Sequence, residues 1–273
     1  MNFKFNIKGH SGCDIKIKNN KVIKIASNKK YSERLKLQFN KQKNFKNTEL
    51  LTPTIYDSGT DANYCFWFKM EMIPYKTFDN FMLTANKKKL DNVSKKVVNF
   101  IKSNISGFKK VNRDVIIKKY ESTKDNIFTK HGINFSYLNS FFYDLDEFLE
   151  IPDGYCHGDL TFSNMLFENS DIVLIDFLDT FLDSPLQDVV KIRQDSKYFW
   201  SLSLVNKIQD CVKVKQSLNY IDDRIKKEFS NYDFYKRYYK HFQILNLLRI
   251  LPYSKDKNHI DNLTKEIRLL CLL

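Results

Sequence analysis

No apolar run in this 273-residue chain approaches the roughly 20 residues that a helix needs to cross a bilayer. The opening MNFKFNIKGHSG also lacks the apolar core of a signal peptide. A cytoplasmic protein without a membrane partner is expected. Cys13, Cys65, Cys156, Cys211 and Cys271 stand singly, with no C-x-x-C pair. That argues against a zinc knuckle and a disulfide framework, and leaves reduced, buried thiols as the simple reading. There is no internal repeat, no low-complexity linker and no recognisable nucleic-acid-binding motif.

What is present is a globular composition, 42% hydrophobic and 15% aromatic, in a chain long enough for one large or two small domains. Its chemistry is concentrated between Tyr155 and Phe177, in YCHGDLTFSNMLFENSDIVLIDF. His157, Asp159 and Asn164 form an H-x-D-x-x-x-x-N spacing, and a polar turn later the apolar run 172–175 delivers Asp176 and Phe177. The expected order is loop, strand, turn, strand. Alone, the first spacing also arises by chance, with His157 a core histidine and Asp159 a capping residue. The second motif at this distance argues against chance.

This arrangement suits phosphoryl transfer from a nucleotide, which needs a carboxylate at the attacking hydroxyl and oxygen ligands for magnesium. Asp159 supplies the first. Mg²⁺ takes one or two carboxylates plus phosphate oxygens, so the Asn164 amide oxygen and the Asp176 carboxylate are sufficient protein ligands.

CHGDLTFSNMLF followed by LIDF resembles the catalytic segment of the aminoglycoside phosphotransferase and choline kinase group, small-molecule relatives of the protein kinases. Gly158 stands where protein kinases have arginine and Leu178 where they have the glycine of D-F-G, which places the resemblance on the small-molecule branch. The resemblance implies an α+β, protein-kinase-like, two-lobed fold. A small antiparallel-sheet lobe with one helix, residues 1–73, would bind the nucleotide. A larger, mainly helical lobe, residues 74–273, would carry the catalytic loop and acceptor site. ATP and Mg²⁺ are implied, with a small-molecule hydroxyl acceptor. His157 is expected to brace the loop.

In chain order, Phe3, Phe5 and Ile7, then Ile15 and Ile17, then Val22, Ile23 and Ile25 mark three short strands. Gly9-His10-Ser11-Gly12 between the first two is either an ordinary turn or a phosphate-cradling loop, in which Gly9, Ser11 and Gly12 offer backbone N–H groups. Asn19-Asn20 is a hairpin turn. Val22-Ile23-Lys24 resembles the kinase strand lysine; Lys16, Lys18 and Lys21 lie nearby, and register favours Lys24. Residues 32–45 read as a helix capped by Ser32. Related enzymes place a glutamate on that helix against the lysine; here Glu33 comes too early and Gln38 and Gln42 follow. Leu51 to Gly59 and Tyr64 to Ile73 read as strands. By resemblance to the kinase hinge, the Glu71 carbonyl and the Ile73 N–H read adenine.

After Pro74 the residues 78–83, 93–105 and 141–149 show helical spacing, and 109–129 is charged and ambiguous. Ser184-Pro185 opens a helix; by resemblance its Asp188 hydrogen-bonds the catalytic loop. Asp179 and Asp183 read as exposed turn acids. The formal charge of +13 accompanies abundant Lys, Asn, Ile and Phe, so codon bias explains it better than a nucleic-acid partner. A milder functional version is a basic field that attracts ATP and an anionic co-substrate. The extended motif looks most like phosphotransferase-family proteins among bacterial surface-polysaccharide genes, and a sugar, polyol or amino alcohol is the expected acceptor. The competing reading is a catalytically silent kinase-like scaffold, supported by the missing helix glutamate.

Overall fold

The computed structural model describes residues 5–8 as backbone and residues 12–205, 209–254 and 256–272 in full. Strands β1 (Phe5–Lys8), β2 (Cys13–Lys18) and β3 (Lys21–Ala26) form an antiparallel meander. Asn19 and Asn20, at φ 51° and 53°, make the turn between β2 and β3. Left-handed backbone at both central positions matches the strand twist, which is why asparagine serves there. Helix α1 (Lys29–Lys43) starts at Asn28, whose side chain accepts from the Tyr31 N–H at 2.9 Å. Ser32, expected as the cap, is buried inside the first turn instead, and its hydroxyl accepts from the Phe66 N–H at 2.9 Å. Strands β4 (Ile55–Thr60) and β5 (Phe66–Glu71) complete a five-stranded sheet in the order β1-β2-β3-β5-β4. Both are shorter than the sequence pattern indicated. Leu35 and Phe39 of α1 pack on Ala26, Phe66, Phe68 and Met70 to form a small core of their own.

The helical part follows with α2 (Phe78–Thr84) and α3 (Lys87–Ser103). Two expectations are corrected next. The run from 93 to 105 stops being helical at Ser103, and residues 141–149 are only partly helical. A two-stranded sheet of β6 (Ile105–Asn112) and β7 (Phe148–Gly154) replaces the ends of both, flanking α4 (Asp114–His131) and α5 (Asn139–Tyr143). Alternation decides β7: Phe148 and Glu150 are exposed while Leu149 and Ile151 are fully buried. The charged stretch around 109–129 divides between β6 and α4, whose Ile116, Tyr120 and Ile127 face the core.

A β-hairpin of β8 (Met165–Glu168) and β9 (Asp171–Leu174) carries the two catalytic motifs at its ends. It is clamped on both sides. Lys76 exchanges two backbone hydrogen bonds with Phe167, at 3.0 and 2.8 Å, and Leu51 brackets β9 through Ile172 and Leu174 at 2.9 and 2.8 Å. Helices α6 (Pro185–Ser196), α7 (Trp200–Ser203), α8 (Cys211–Phe229), α9 (Asp233–Ile250) and α10 (Lys257–Leu272) finish the larger part. Every residue of α6 is buried, because α8 and α9 pack on one side and the catalytic loop on the other. Among the described residues, no helix is long and apolar enough to cross a membrane.

Candidate active site

The loop between β7 and β8 is held in shape by hydrogen bonds within it, by the segment after β9 and by one helix. Gly158 adopts φ +86°, and a Cβ there would lie 2.3 Å from the Leu178 carbonyl oxygen, so only glycine fits. The Leu178 N–H in turn donates to the His157 carbonyl at 3.1 Å. The fully buried His157 ring spans the loop: Nδ1 accepts from the Asp159 N–H at 3.2 Å, and Nε2 faces the Ile175 carbonyl at 3.0 Å. These partners require the Nε2–H tautomer. Burial lowers its pKa to about 4, with the neighbouring Asp159 charge opposing, so the ring is neutral near pH 7. Neutral, and with both ring nitrogens engaged inside the loop, His157 ties Asp159 to the segment after β9.

Helix α6 supports the loop from below. Ser184 caps it, accepting from the Leu186 N–H at 3.2 Å, and Pro185 occupies the first turn. Asp188 accepts from the backbone N–H groups of His157 at 2.7 Å and Gly158 at 3.0 Å. Burial pushes its pKa up to about 7, against the pull of these two donors. Two further residues on this face were not anticipated. Lys191 places its ammonium 3.1 Å from Asp159 Oδ1. Asp195 accepts from the Phe162 N–H at 2.6 Å and from the Ser201 hydroxyl at 2.8 Å. Asp188, Lys191 and Asp195 stand at i, i+3 and i+7, one face of a helix, and that spacing was the signal available in the sequence.

Asp159 sits at the focus of these contacts. Asn164 Nδ2 donates to Asp159 Oδ2 and to its carbonyl, both at 2.9 Å. Burial works to raise the Asp159 pKa, but the Lys191 ammonium, with help from Asn164, holds it below the usual carboxylate range. A carboxylate kept ionised and fixed in direction is the result. With Nδ2 committed to Asp159, the amide oxygen of Asn164 is left for another partner.

Asp176 lies beyond β9 at φ 59°, a left-handed conformation unusual for a non-glycine residue. Its carboxylate pairs with the Lys24 ammonium across the cleft. Lys24 is buried, and burial lowers its pKa to about 8. Lys24 stands opposite Phe68 of β5, which points it away from solvent and towards the cleft. The helix glutamines do not reach it: Gln38 donates to the Tyr31 hydroxyl at 3.4 Å and Gln42 to the Pro53 carbonyl at 3.2 Å. Glu33 is exposed and pairs with Lys36 at 2.9 Å.

Asp179 and Asp183, read from sequence as free turn acids, instead tie α1 to the segment after the second motif. Arg34 reaches Asp179 at 3.0 Å, and Lys41 reaches Asp183 and the Leu178 carbonyl, both at 2.9 Å. Gly12, at φ +82°, precedes β2 and accepts from the Ser27 N–H; Gly9 and Ser11 lie outside the described residues. Glu71 ends β5 with its N–H on the Thr54 carbonyl at 2.9 Å, and Ile73 follows in the link to Pro74. Asn164 and Asp176 offer an amide oxygen and a carboxylate, a hard-oxygen pair that fits Mg²⁺.

Residues 138–202, which span this loop, the hairpin and α6, match the model of the Phosphotransferase enzyme family. No curated protein sequence matches the chain. Among solved structures, APH(2″)-IIa in its ternary complex with streptomycin and ATP superposes with a TM-score of 0.61 at 13% identity, over 98% of this chain and 91% of that one. An APH(2″) enzyme bound to GDP and kanamycin gives 0.63 at 13% identity, over 97% and 92%. ADP-bound aminoglycoside phosphotransferase APH(2″)-Ib gives 0.58 at 13% identity, over 99% and 92%. At these identities the likeness establishes a shared fold.

Proposed function

We propose that this chain, whose residues 138–202 match the model of the Phosphotransferase enzyme family and whose fold is shared with aminoglycoside phosphotransferases, is an ATP-dependent kinase that phosphorylates a hydroxyl of a sugar, polyol or amino alcohol. A role in bacterial surface-polysaccharide metabolism, inside the cytoplasm, is part of this reading. The observation that carries it is the Asp159 carboxylate, held ionised by Lys191 and aimed by Asn164, with Asp176 and Lys24 paired across the cleft.

In this reading Asp159 orients the acceptor hydroxyl and receives its proton. The acceptor oxygen bonds to the γ-phosphorus as the bond from that phosphorus to the β–γ bridging oxygen breaks, and ADP leaves. Asn164 and Asp176 would hold Mg²⁺, which when bound neutralises developing phosphate charge. Lys24 turns from Asp176 towards the phosphates, and Gly9, Ser11 and Gly12 are expected from the sequence to offer backbone N–H groups to them. The Glu71 carbonyl and Ile73 N–H read the base, with the lobe boundary after Ile73. His157 and Asp188 keep the loop in place.

The test is ADP release and mass-spectrometric phosphoryl gain across pooled sugars, polyols, amino alcohols and aminoglycosides. Asp159→Asn nearly abolishes turnover while Mg-ATP still raises the melting temperature. Asp176→Asn weakens Mg-ATP binding itself. Turnover in either variant equal to the parent ends the proposal, and absence of both product and Mg-ATP binding in the parent leaves a silent scaffold.

A further inference from the structure

Behind Asp159, a chain of contacts runs into α9. Lys191 donates to Gln194 Oε1 at 3.2 Å, and the same oxygen accepts from Asn246 Nδ2 at 2.7 Å. One helical turn past Asn246, on the same face of α9, stands Arg249. Its guanidinium lies 5.5 Å from the centre of the Phe181 ring, and the Lys119 ammonium of α4 lies 6.0 Å from the same ring. Phe181 itself follows Asp176 by five residues. Two cations from separate helices therefore converge on one ring beside the catalytic loop.

Neither cation has an acid. Arg34, Lys41, Lys191 and Arg193 each pair with an aspartate. For Arg249 and Lys119, the described residues show no ion pair and no hydrogen bond; each lies over the Phe181 face, and the nearest charge of opposite sign acting on Arg249 is Asp159, beyond ion-pair distance. Both are half-buried, and the two repel each other as well as Arg34. Arg249 also feels the Asp159 charge, which places it in the field of the base. The Phe181 ring centre lies 5.5 Å from the guanidinium, whose forked N–H donors make no hydrogen bond among the described residues. Tyr253, at 70% exposure, extends the aromatic surface at the end of α9. Half-buried positive charge held together with no ion pair of its own is what an oxyanion site requires, and it is hostile to a polyamine.

We infer that the acceptor of this phosphotransferase carries an oxyanion of its own, a carboxylate or a phosphate ester, gripped by Arg249 and Lys119 while its hydroxyl faces Asp159. The inference rests on the kinase reading above and narrows its substrate to sugar acids and sugar phosphates, or the corresponding polyol acids and phosphates. Nucleotide phosphates are not the anion meant, since in the kinase reading those fall to Lys24 and to the metal held by Asn164 and Asp176, none of which contacts Arg249 or Lys119.

The experiment uses matched sets on several sugar and polyol skeletons, each with neutral, amino, carboxylate and phosphate members. ADP release with Mg-ATP is measured against an Asp159→Asn blank, and binding to Mg-ADP-loaded protein is followed by ligand-observed NMR. Anionic members are expected to bind and turn over best, and the carboxylate and phosphate arms separate the two sources. Arg249→Gln and Lys119→Gln are each expected to weaken anionic acceptors about tenfold, the size of one charge-assisted contact, with Arg249→Lys recovering part. Thermal melts confirm that the variants are folded. Preference for amino or neutral members overturns the inference and leaves the kinase reading intact. So does unchanged anion affinity in both variants, or a rise in KM for Mg-ATP in place of acceptor KM. If anions bind through Arg249 yet ADP release equals the Asp159→Asn blank for every member, the oxyanion site stands and the kinase reading fails.

Discussion

Lys191→Met tests whether the charge beside Asp159 does what the geometry implies. Methionine keeps the length and most of the volume of the lysine stem, so the change removes one ammonium from a site where its side chain is 10% exposed and Asp159 is 24% exposed. Removing one partner of a fully buried pair costs about 3–5 kcal/mol. The partial exposure of Asp159 and its remaining bond to Asn164 reduce this to about 2–3 kcal/mol. If that energy aims the carboxylate at the acceptor in the transition state, kcat falls about 30- to 160-fold. KM for Mg-ATP is read alongside, because Lys191 makes no contact with Lys24 or Asp176, the proposed nucleotide-side residues. Lys191→Arg, which restores the charge, recovers most of the rate; a merely space-filling residue would be replaced better by methionine than by arginine. ADP release at saturating acceptor and Mg-ATP, with urea denaturation for stability, supplies both numbers. A methionine variant with parental kcat would refute the assignment of Lys191 as the residue that holds Asp159 in its working state.

Three further changes probe the supports. Gly158→Ala places a Cβ 2.3 Å from the Leu178 carbonyl at φ +86°; left-handed strain of about 1–2 kcal/mol plus overpacking of about 1–3 kcal/mol should appear in urea melts, and a change below about 1 kcal/mol would show that the loop moves freely. His157 has its pKa lowered from 6.5 to about 4, so the unfolded chain binds more protons in that window and the parent loses stability as pH falls through it. The stability difference between parent and His157→Gln should therefore shrink by about 3 kcal/mol from pH 6.5 to 4, and a constant difference would mean that the ring titrates normally. Lys41→Met removes contacts to Asp183 and the Leu178 carbonyl; a stability loss of about 1–3 kcal/mol and a lower kcat at saturating Mg-ATP are expected, while a change confined to stability would separate this tie from catalysis.

The catalytic loop was legible because its chemistry is local. His157, Asp159, Asn164 and Asp176 lie within one loop-hairpin unit, and each needs a particular residue type at a fixed offset. The first three strands were legible for a related reason, since alternation and the Asn19-Asn20 turn are short-range signals. The β6–β7 sheet was not. Phe141, Phe142, Leu145 and Leu149 present helical spacing, and only the long-range pairing of Phe148–Gly154 with Ile105–Asn112 reveals the strand. Lys191 and Asp195 were hidden differently: their helix was expected, but which face meets the loop is a property of packing. The same holds for Arg249 and Lys119, more than a hundred residues apart and brought together on Phe181 by the folding of α4 against α9.

The absence of a helix glutamate that reaches Lys24, the feature that favours the scaffold reading, has a physical counterpart in how α1 is secured, since its Glu33 pairs with Lys36. A glutamate on that helix would do two things at once: neutralise the strand lysine and lock the helix against the sheet. Here the tasks are divided. Lys24 finds its counter-charge on Asp176, within the site. The helix is locked by its own cations, Arg34 on Asp179 and Lys41 on Asp183, which lie three and seven residues beyond Asp176 on the same segment. Ser32 fixes the inner face to β5 through the Phe66 N–H, and the Tyr155 hydroxyl donates to the Lys41 carbonyl at 3.0 Å just ahead of the catalytic loop. The position of α1 is thus coupled to Asp176 and to His157–Asp159 through their immediate neighbours, so this helix reports on the two carboxylates proposed to hold the metal and to take the acceptor proton. Loss of the glutamate relocates the lock without removing it, and a silent scaffold would have no need to keep Asp159 ionised behind it.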